Sequence, residues 1–416
     1  MNKQPSKWMF MQTARLNFSL WLVLFVVFLD HVGIGLVYPM FSSMLFEPDS
    51  PFIDSGASNA IKGWYLGLML SAMPFAAFFS GPILGTLSDQ KGRRPLFMFC
   101  LSLAIVGYVC SVIGVIANSL IILIGSRIVV GLADGSMGVV SAAIADLSPN
   151  DSTKAKNFGL YAMVSGVGFA LGPVLGGVLS AYGFTFPFLF AGLATLLNLF
   201  LIWIYFNETH TVRKSAVIRF ADGIHNLKKA FLIQPLRVLF LVSVFFCVGW
   251  SFFYEFLPVI WISDYGFNPV RVGFFFAFGA GFYALSSGVL IRPIVSRCKP
   301  YRVLFYSLCA LGVVTILLLL HPGAIWIWIY LPIVNFLVAL IWPTYTTMIS
   351  DWAGRDAQGE ILGISGSLQA LAFAISPLAG GFLVGANTHM PMFVGGLSML
   401  FAALFIGILL RKKLFY

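Results

Sequence analysis

Apolar runs long enough to cross a bilayer follow one another down the chain, separated by short polar breaks. A spanning helix needs about 20 mostly apolar residues. Runs of that kind fall at 18–45, 63–88, 95–116, 119–147, 157–181, 184–206, 237–264, 270–294, 302–320, 324–350, 358–384 and 390–410. The longest polar interval, 207–236, divides six runs from six. The pattern therefore predicts an N-terminal six-helix bundle over 1–206, a central linker over 207–236 and a C-terminal six-helix bundle over 237–416. The run from Phe18 to Phe46 is too long for a signal-peptide core and has no small-residue cleavage site after it, so it reads as an uncleaved first helix.

Basic residues sort by side. With the N-terminus placed in the cytoplasm, 22 of the 25 Lys and Arg fall in cytoplasmic segments, among them Lys91, Arg93, Arg94, Arg292, Arg297 and Arg302. Only Lys62 and Arg271 reach outer loops, and Arg127 lies within a run. This is the positive-inside bias, and it places both termini on the cytoplasmic side of an even number of spans.

Composition agrees with that reading. The chain is 59% hydrophobic and 10% charged, whereas a soluble domain carries roughly 25% charge. The lipid bilayer is the solvent that such a surface needs. The net charge of +10 does not indicate nucleic acid, because the basic residues are spread over short loops. Cys100, Cys110, Cys247, Cys298 and Cys309 form no CxxC pair and no metal spacing. No metal or cofactor is expected. Neither a GxxxxGK[ST] loop nor an HExxH motif nor a nucleophile elbow is present, so neither ATP-driven pumping nor enzymatic chemistry is expected.

The chain also repeats itself. Shifted by 204 residues, Asp146–Gly177 overlays Ser350–Gly381 without a gap. Phe169-Ala170-x-x-Pro173-x-x-Gly176-Gly177 then meets Phe373-Ala374-x-x-Pro377-x-x-Gly380-Gly381, and Gly159 meets Gly363. Two parallel halves place a pathway at their interface, near the bilayer midplane.

The loop after the second run reads Gly85-Thr86-Leu87-Ser88-Asp89-Gln90-Lys91-Gly92-Arg93-Arg94-Pro95. It matches the G-x-L-S-D-x-x-G-R-R-P loop of the major facilitator superfamily in full, and the chain resembles that family. Gly85 suits a close helix contact, Gly92 a tight turn, and Asp89 with Arg93 and Arg94 a charge clasp. The resemblance implies that this loop latches helices in one state and releases them in another. Helix four carries Arg127-x-x-x-Gly131-x-x-x-Gly135, similar to the family's R-x-x-x-G pattern, whose Arg is tied to proton handling; a structural tie is the alternative. Helix five carries Gly168-x-x-x-Gly172-Pro173-x-x-Gly176-Gly177, similar to the signature of proton-coupled exporters, with a kink expected at Pro173. Helix one, Leu29-Asp30-His31-Val32-Gly33-Ile34-Gly35, resembles that of tetracycline exporters and related drug:proton antiporters. The resemblance is dense in helices one to five and thin from helix six onward. Ala77 stands where a Gln is expected in tetracycline exporters, and Asp134 is an additional acid. The resemblance implies a monomeric protein in a bacterial inner membrane.

Three carboxyls lie well inside spans: Asp30, Asp134 and Glu255. Ionisable groups in hydrocarbon are costly and mark function. With Arg127 they are the candidates for proton coupling. Asp134 follows Arg127 by seven residues, so both face one side of the helix, about 10 Å apart along its axis; a network shared across a wet cavity and a static ion pair within the bundle are the two readings. Asp30 and Asp134 have structural partnering as their alternative, and Glu255 an outer-end position reaching water. Trp250, Phe253 and Tyr254 surround Glu255 in the chain and are candidate substrate contacts, as are Asn335 and Gln369, which alternatively bond between helices. His31 reads as a packed neutral residue and Asp146 as a gate or cap.

These readings converge on a secondary transporter that exchanges protons for amphipathic small molecules or drugs by alternating access, most consistent with export. A dedicated metabolite or siderophore carrier is the rival. A ligand sensor is disfavoured, since it would carry a larger soluble segment than the 30 residues of 207–236.

Overall fold

The computed structural model describes residues 7–48, 50–54, 56–148, 150–210, 236–320 and 323–411; the side chains of 7–17, 151, 152, 155, 353–360 and 411 lie outside the description. Most of the expected linker, 211–235, falls outside it too. The described residues are almost entirely helical, with no strand among them. Twelve helices are long and apolar enough to cross a membrane: α1 (Phe18–Phe46), α2 (Asn59–Lys91), α3 (Arg93–Ile116), α4 (Leu120–Asp146), α5 (Lys156–Ser180), α6 (Thr185–Tyr205), α7 (Leu236–Tyr265), α8 (Pro269–Arg297), α9 (Pro300–Leu320), α10 (Ala324–Trp352), α11 (Ile361–Ala386) and α12 (Met390–Leu410). The protein is a multi-pass membrane protein.

Helix ends follow local chemistry. Ser58, Ser119, Asn150 and Asn268 each accept a bond from a backbone N–H three residues on, capping α2, α4, the helix leading into α5, and α8. Two breaks were not expected. Helix α4 is interrupted after Asp134 and resumes at Met137. Helix α8 carries a π-helical turn at Ser286–Leu290. By contrast the helix containing α5 runs through Pro173 from Asp151 to Ser180. Helical backbone also continues from Ile327 to Ala386, yet Tyr345 Oη lies 2.8 Å from Ser365 Oγ. Twenty residues of straight helix would separate them by about 30 Å, so the chain doubles back and α10 packs beside α11.

The packing is pseudosymmetric. In the first half α1 lies along α5, α2 along α4, and α3 against α4 and α6. Six helices later, α7 meets α11 through Gln369 and Ser243, α8 meets α10 through Gly279 and Asn335, and α9 packs against α12. Small residues bring backbones close, as membrane helices without a hydrophobic drive between them require. Gly168, Gly172 and Gly176 lay one stripe of α5 on the backbone of α1 between Phe28 and Leu36.

The two halves touch at one end and part at the other. Toward the ends Asn59, Ser180, Pro269 and Ala386, Gly63 and Gly67 of α2 pack on Gly381 and Pro377 of α11, and Gly177 of α5 packs on Pro269 and Gly273 of α8. Toward the opposite, basic face, which carries the Arg93 loop, a methyl added at Gly159, Gly166, Gly281, Gly288, Gly363 or Gly366 would meet nothing within 4 Å. Gly85, expected at a close helix contact, also faces open space. The halves have separated there, so this conformation leaves no neighbour for it.

A Cβ at Gly172 would sit 2.6 Å from Gly35 Cα. Gly172→Ala should therefore cost on the order of 1–3 kcal/mol through overpacking, read as a lower midpoint of thermal unfolding in detergent. Gly159→Ala, in a helix interior with open space around it, should not lower the midpoint and can raise it; equal losses for the two variants would contradict the packing described.

Candidate functional site

Between the halves lies a cavity of about 1060 Å³. Its wall is mostly apolar and comes from both halves: Ile34, Val37, Met69 and Met73 on one side, and Leu257, Ala277, Leu331 and Val338 on the other. Size and lining suit a drug-sized molecule, for which pockets run to roughly 1,000 Å³ with few polar groups. Three of the expected contact residues, Trp250, Phe253 and Tyr254, line it, and so does Asn335. Tyr254 lies against Tyr38 at 5.1 Å and Phe169 at 5.2 Å between ring centroids, and against Trp250 at 5.4 Å. Tyr38 and Phe169 belong to the first half, so this aromatic cluster spans the interface. Sequence reasoning missed both.

Gln369 does not line the cavity. Its Nε2 donates to Ser243 Oγ at 3.0 Å and Ser365 Oγ at 3.3 Å. The geometry favours the interhelical alternative, because both hydroxyls lie on the α7–α11 contact.

The acids occupy two places. Glu255 is buried, 6% exposed, and lines the cavity; its Oε2 has no hydrogen-bond partner. At that burial it is not the outer-end, water-reaching residue of the alternative reading. Asp134 lines the cavity at the break in α4. Asp30 of α1 lies beside it, close enough for the two carboxyls to share a hydrogen bond once either carries a proton. Asp30 Oδ2 and Asp134 Oδ1 have no other hydrogen-bond partner. The sequence offers each acid separately but gives no sign of the pairing, which depends on how α1 and α4 cross. His31 lines the cavity, and its Nδ1 donates to the Val27 carbonyl at 2.9 Å.

Arg127 corrects an expectation. It does not form a network with Asp134. Its guanidinium turns toward α3 and α6, where Nη2 donates to Ser111 Oγ at 2.5 Å and the Phe188 and Tyr108 rings lie at 5.0 and 5.7 Å. A common helix face does not fix where a long side chain ends.

The signature loop is built around Arg93, which is 5% exposed. Its Nη1 donates to Asp89 Oδ1 at 2.7 Å and to Ser88 Oγ, and its Nε to Asp146 Oδ2 at 3.1 Å. Asp146 also accepts from Thr209 Oγ1 at 3.5 Å. Arg94 Nη2 donates to the Trp203 carbonyl. Gly92 has φ +103°, a conformation that favours glycine. Glu208 lies outside the motif and went unnoticed in the sequence: its carboxylate accepts from the backbone N–H of Arg93 at 2.8 Å and Arg94 at 3.1 Å. An anion at a helix N-terminus satisfies orphan donors and complements the dipole. The stretch after α6 is thereby tied to the start of α3.

Comparison with known proteins agrees with this architecture. The family model of the Major Facilitator Superfamily matches residues 20–347. The chain is 28% identical over 371 residues to a tetracycline resistance protein, class C, of Escherichia coli, covering 87% of this chain and 88% of that one. It is 27% identical over 395 residues to the quinolone resistance protein NorA of Staphylococcus aureus, covering 92% and 95%. Among solved structures it is similar to a D-xylose–proton symporter, with a TM-score of 0.69 at 16% identity over 94% of this chain and 97% of that one.

Glu208→Ala removes the helix cap and should lower stability by about 1 kcal/mol, seen in thermal unfolding. Glu208→Gln, which keeps an acceptor, should lose less. An unchanged midpoint for Glu208→Ala would show that the contact contributes nothing.

Proposed function

The chain belongs to the Major Facilitator Superfamily, and from that premise we propose that it is a proton-coupled exporter of amphipathic small molecules working by alternating access. One observation carries the reading: the Asp30–Asp134 pair stands at the edge of a large aromatic-walled cavity, with unpartnered oxygens and a broken helix beside it. Two carboxyls side by side repel when both are ionised, and a shared proton removes that repulsion. Occupancy of the pair by a proton then biases the bundle between its two closures. The positive-inside bias puts the basic face, and the open end of the cavity, toward the cytoplasm. Substrate enters from there, or from the inner leaflet, while the outer end is sealed by α2–α11 and α5–α8.

Export follows from the exchange. Substrate displaces the proton's stabilising effect on one side, the halves rock, and a proton taken up from the outer side resets them. The membrane potential adds about 2.3 kcal/mol per charge per 100 mV when net charge moves. Glu255 supplies negative character on the opposite wall, where it can receive a cationic group or a second proton. The Arg93 cluster with Asp89 and Asp146 joins α2, α3 and α4 in this conformation and serves as the cytoplasmic latch, engaged in one state and released in the other. The chain works as a monomer in the inner membrane, with both termini in the cytoplasm. The names of the efflux relatives support export of drug-like molecules.

Purified protein in proteoliposomes tests the coupling. With Asp30→Asn or Asp134→Asn, substrate should still bind, but an imposed pH gradient should drive no more accumulation than in an ionophore-treated control. Undiminished gradient-driven transport would remove the pair from the mechanism. Expression in an efflux-deficient bacterium should raise tolerance to several amphipathic compounds. No change across such a panel would point to a dedicated metabolite carrier.

A further inference from the structure

Arg127 is 1% exposed and yet lines the cavity. Among the described residues no carboxylate forms an ion pair with it. One bond to Ser111 and two aromatic faces are its partners, and Nε has none. A guanidinium stays charged at any working pH and offers five N–H donors in a planar fork. A buried cation without a counter-ion is costly, and removing one partner of a buried pair is what normally creates that state. The acid nearest in the chain, Asp134, is turned to Asp30. A bundle that needed only a tie between α3, α4 and α6 could make it with a neutral donor. What this arrangement supplies is a fixed positive charge toward the sealed end of the cavity, about 10 Å along the helix from the start of α4, in a wall that also includes Phe41, Leu70 and Met73.

We propose that Arg127 binds an anionic group of the substrate, so that the molecules carried are amphipaths bearing a carboxylate or a similar planar anion. The inference rests on the reading that the cavity binds amphipathic small molecules. A carboxylate completes the ion pair that the fold leaves open, and its charge-assisted bonds to the guanidinium are stronger than those of a neutral acceptor. Glu255, with its free oxygen on the wall from the other half, allows the same molecule to carry a positive charge as well. A zwitterion of this kind would touch both halves at once.

A matched pair of dyes separates the charge from the scaffold. Rhodamine 110 carries a carboxylate, and rhodamine 123 is its methyl ester. Binding to the purified full-length protein is read by fluorescence anisotropy. Wild-type protein should hold rhodamine 110 about tenfold or more tighter than rhodamine 123, as expected for a charge-assisted bond in a dry site. Arg127→Gln and Arg127→Met should abolish the preference by weakening rhodamine 110 while holding rhodamine 123 no more weakly than wild type, and Arg127→Lys should keep part of it. A role confined to helix packing would move both dyes together. Should the neutral variants fail to fold, wild-type protein still decides: benzoate should displace rhodamine 110 and benzamide should not. Equal affinity for the two dyes, or a preference that survives Arg127→Gln, overturns the proposal and leaves the amphipath-binding reading intact. Failure of both dyes to bind overturns both.

Discussion

A charge held away from water must find a partner, and this constraint organises the whole molecule. Lipid surrounds the bundle, so the few ionisable groups inside it are placed where a partner can arrive from solution. Asp30 and Asp134 answer one another and leave room for a proton. Glu255 and Arg127 both line a common cavity, and each has one side-chain atom without a hydrogen-bond partner. The charges that are fully partnered, such as Arg93 with Asp89 and Asp146, lie instead at the basic face, where they hold helix ends together. Of these groups, the ion-paired Arg93, Asp89 and Asp146 belong to the scaffold, and those without an ion pair stand beside the cavity.

Backbone contact supplies the second element. The seal at the closed end consists of glycine-mediated contacts between α2 and α11 and between α5 and α8. Such contacts are made by dispersion and close fit, with no long side chains to order, and they can be broken and remade at modest cost. The glycines on the basic side of the same helices face open space here. One set of helices thus carries small-residue surfaces at both ends, of which only one is in use. The stripe of α5 on α1, by contrast, lies within a half and holds α1 between Phe28 and Leu36, the stretch that carries Asp30.

Much of this was legible in the sequence, and the reason is the period of the signal. Twelve spans, their charge bias and the 204-residue repeat are properties of long segments, where composition accumulates over many residues. The Gly85–Pro95 loop was legible because its order is dense and local. What escaped depends on contacts between distant segments. The meeting of Asp30 with Asp134 and the wedge of Tyr254 between Tyr38 and Phe169 require knowing how helices cross. Gln369 was a fair candidate by depth, but a neighbouring hydroxyl from α7 claims it. Arg127 was placed on the correct helix and beside the cavity, while its guanidinium follows two rings and a serine on other helices. Glu208 lies where chain polarity rises after α6, and nothing in its surroundings announces the helix end it caps.

The central claim is that substrate and proton address one acid pair in opposite senses. By linkage, a ligand that favours the deprotonated form must expel protons as it binds, with the same coupling free energy in either direction. Proton release on substrate binding, followed with an indicator dye in weakly buffered detergent solution, is therefore the most direct measurement. The account predicts release of up to about one proton per molecule bound, absent in the double variant Asp30→Asn, Asp134→Asn. Saturable binding with no release at any pH from about 6 to 8 would contradict it.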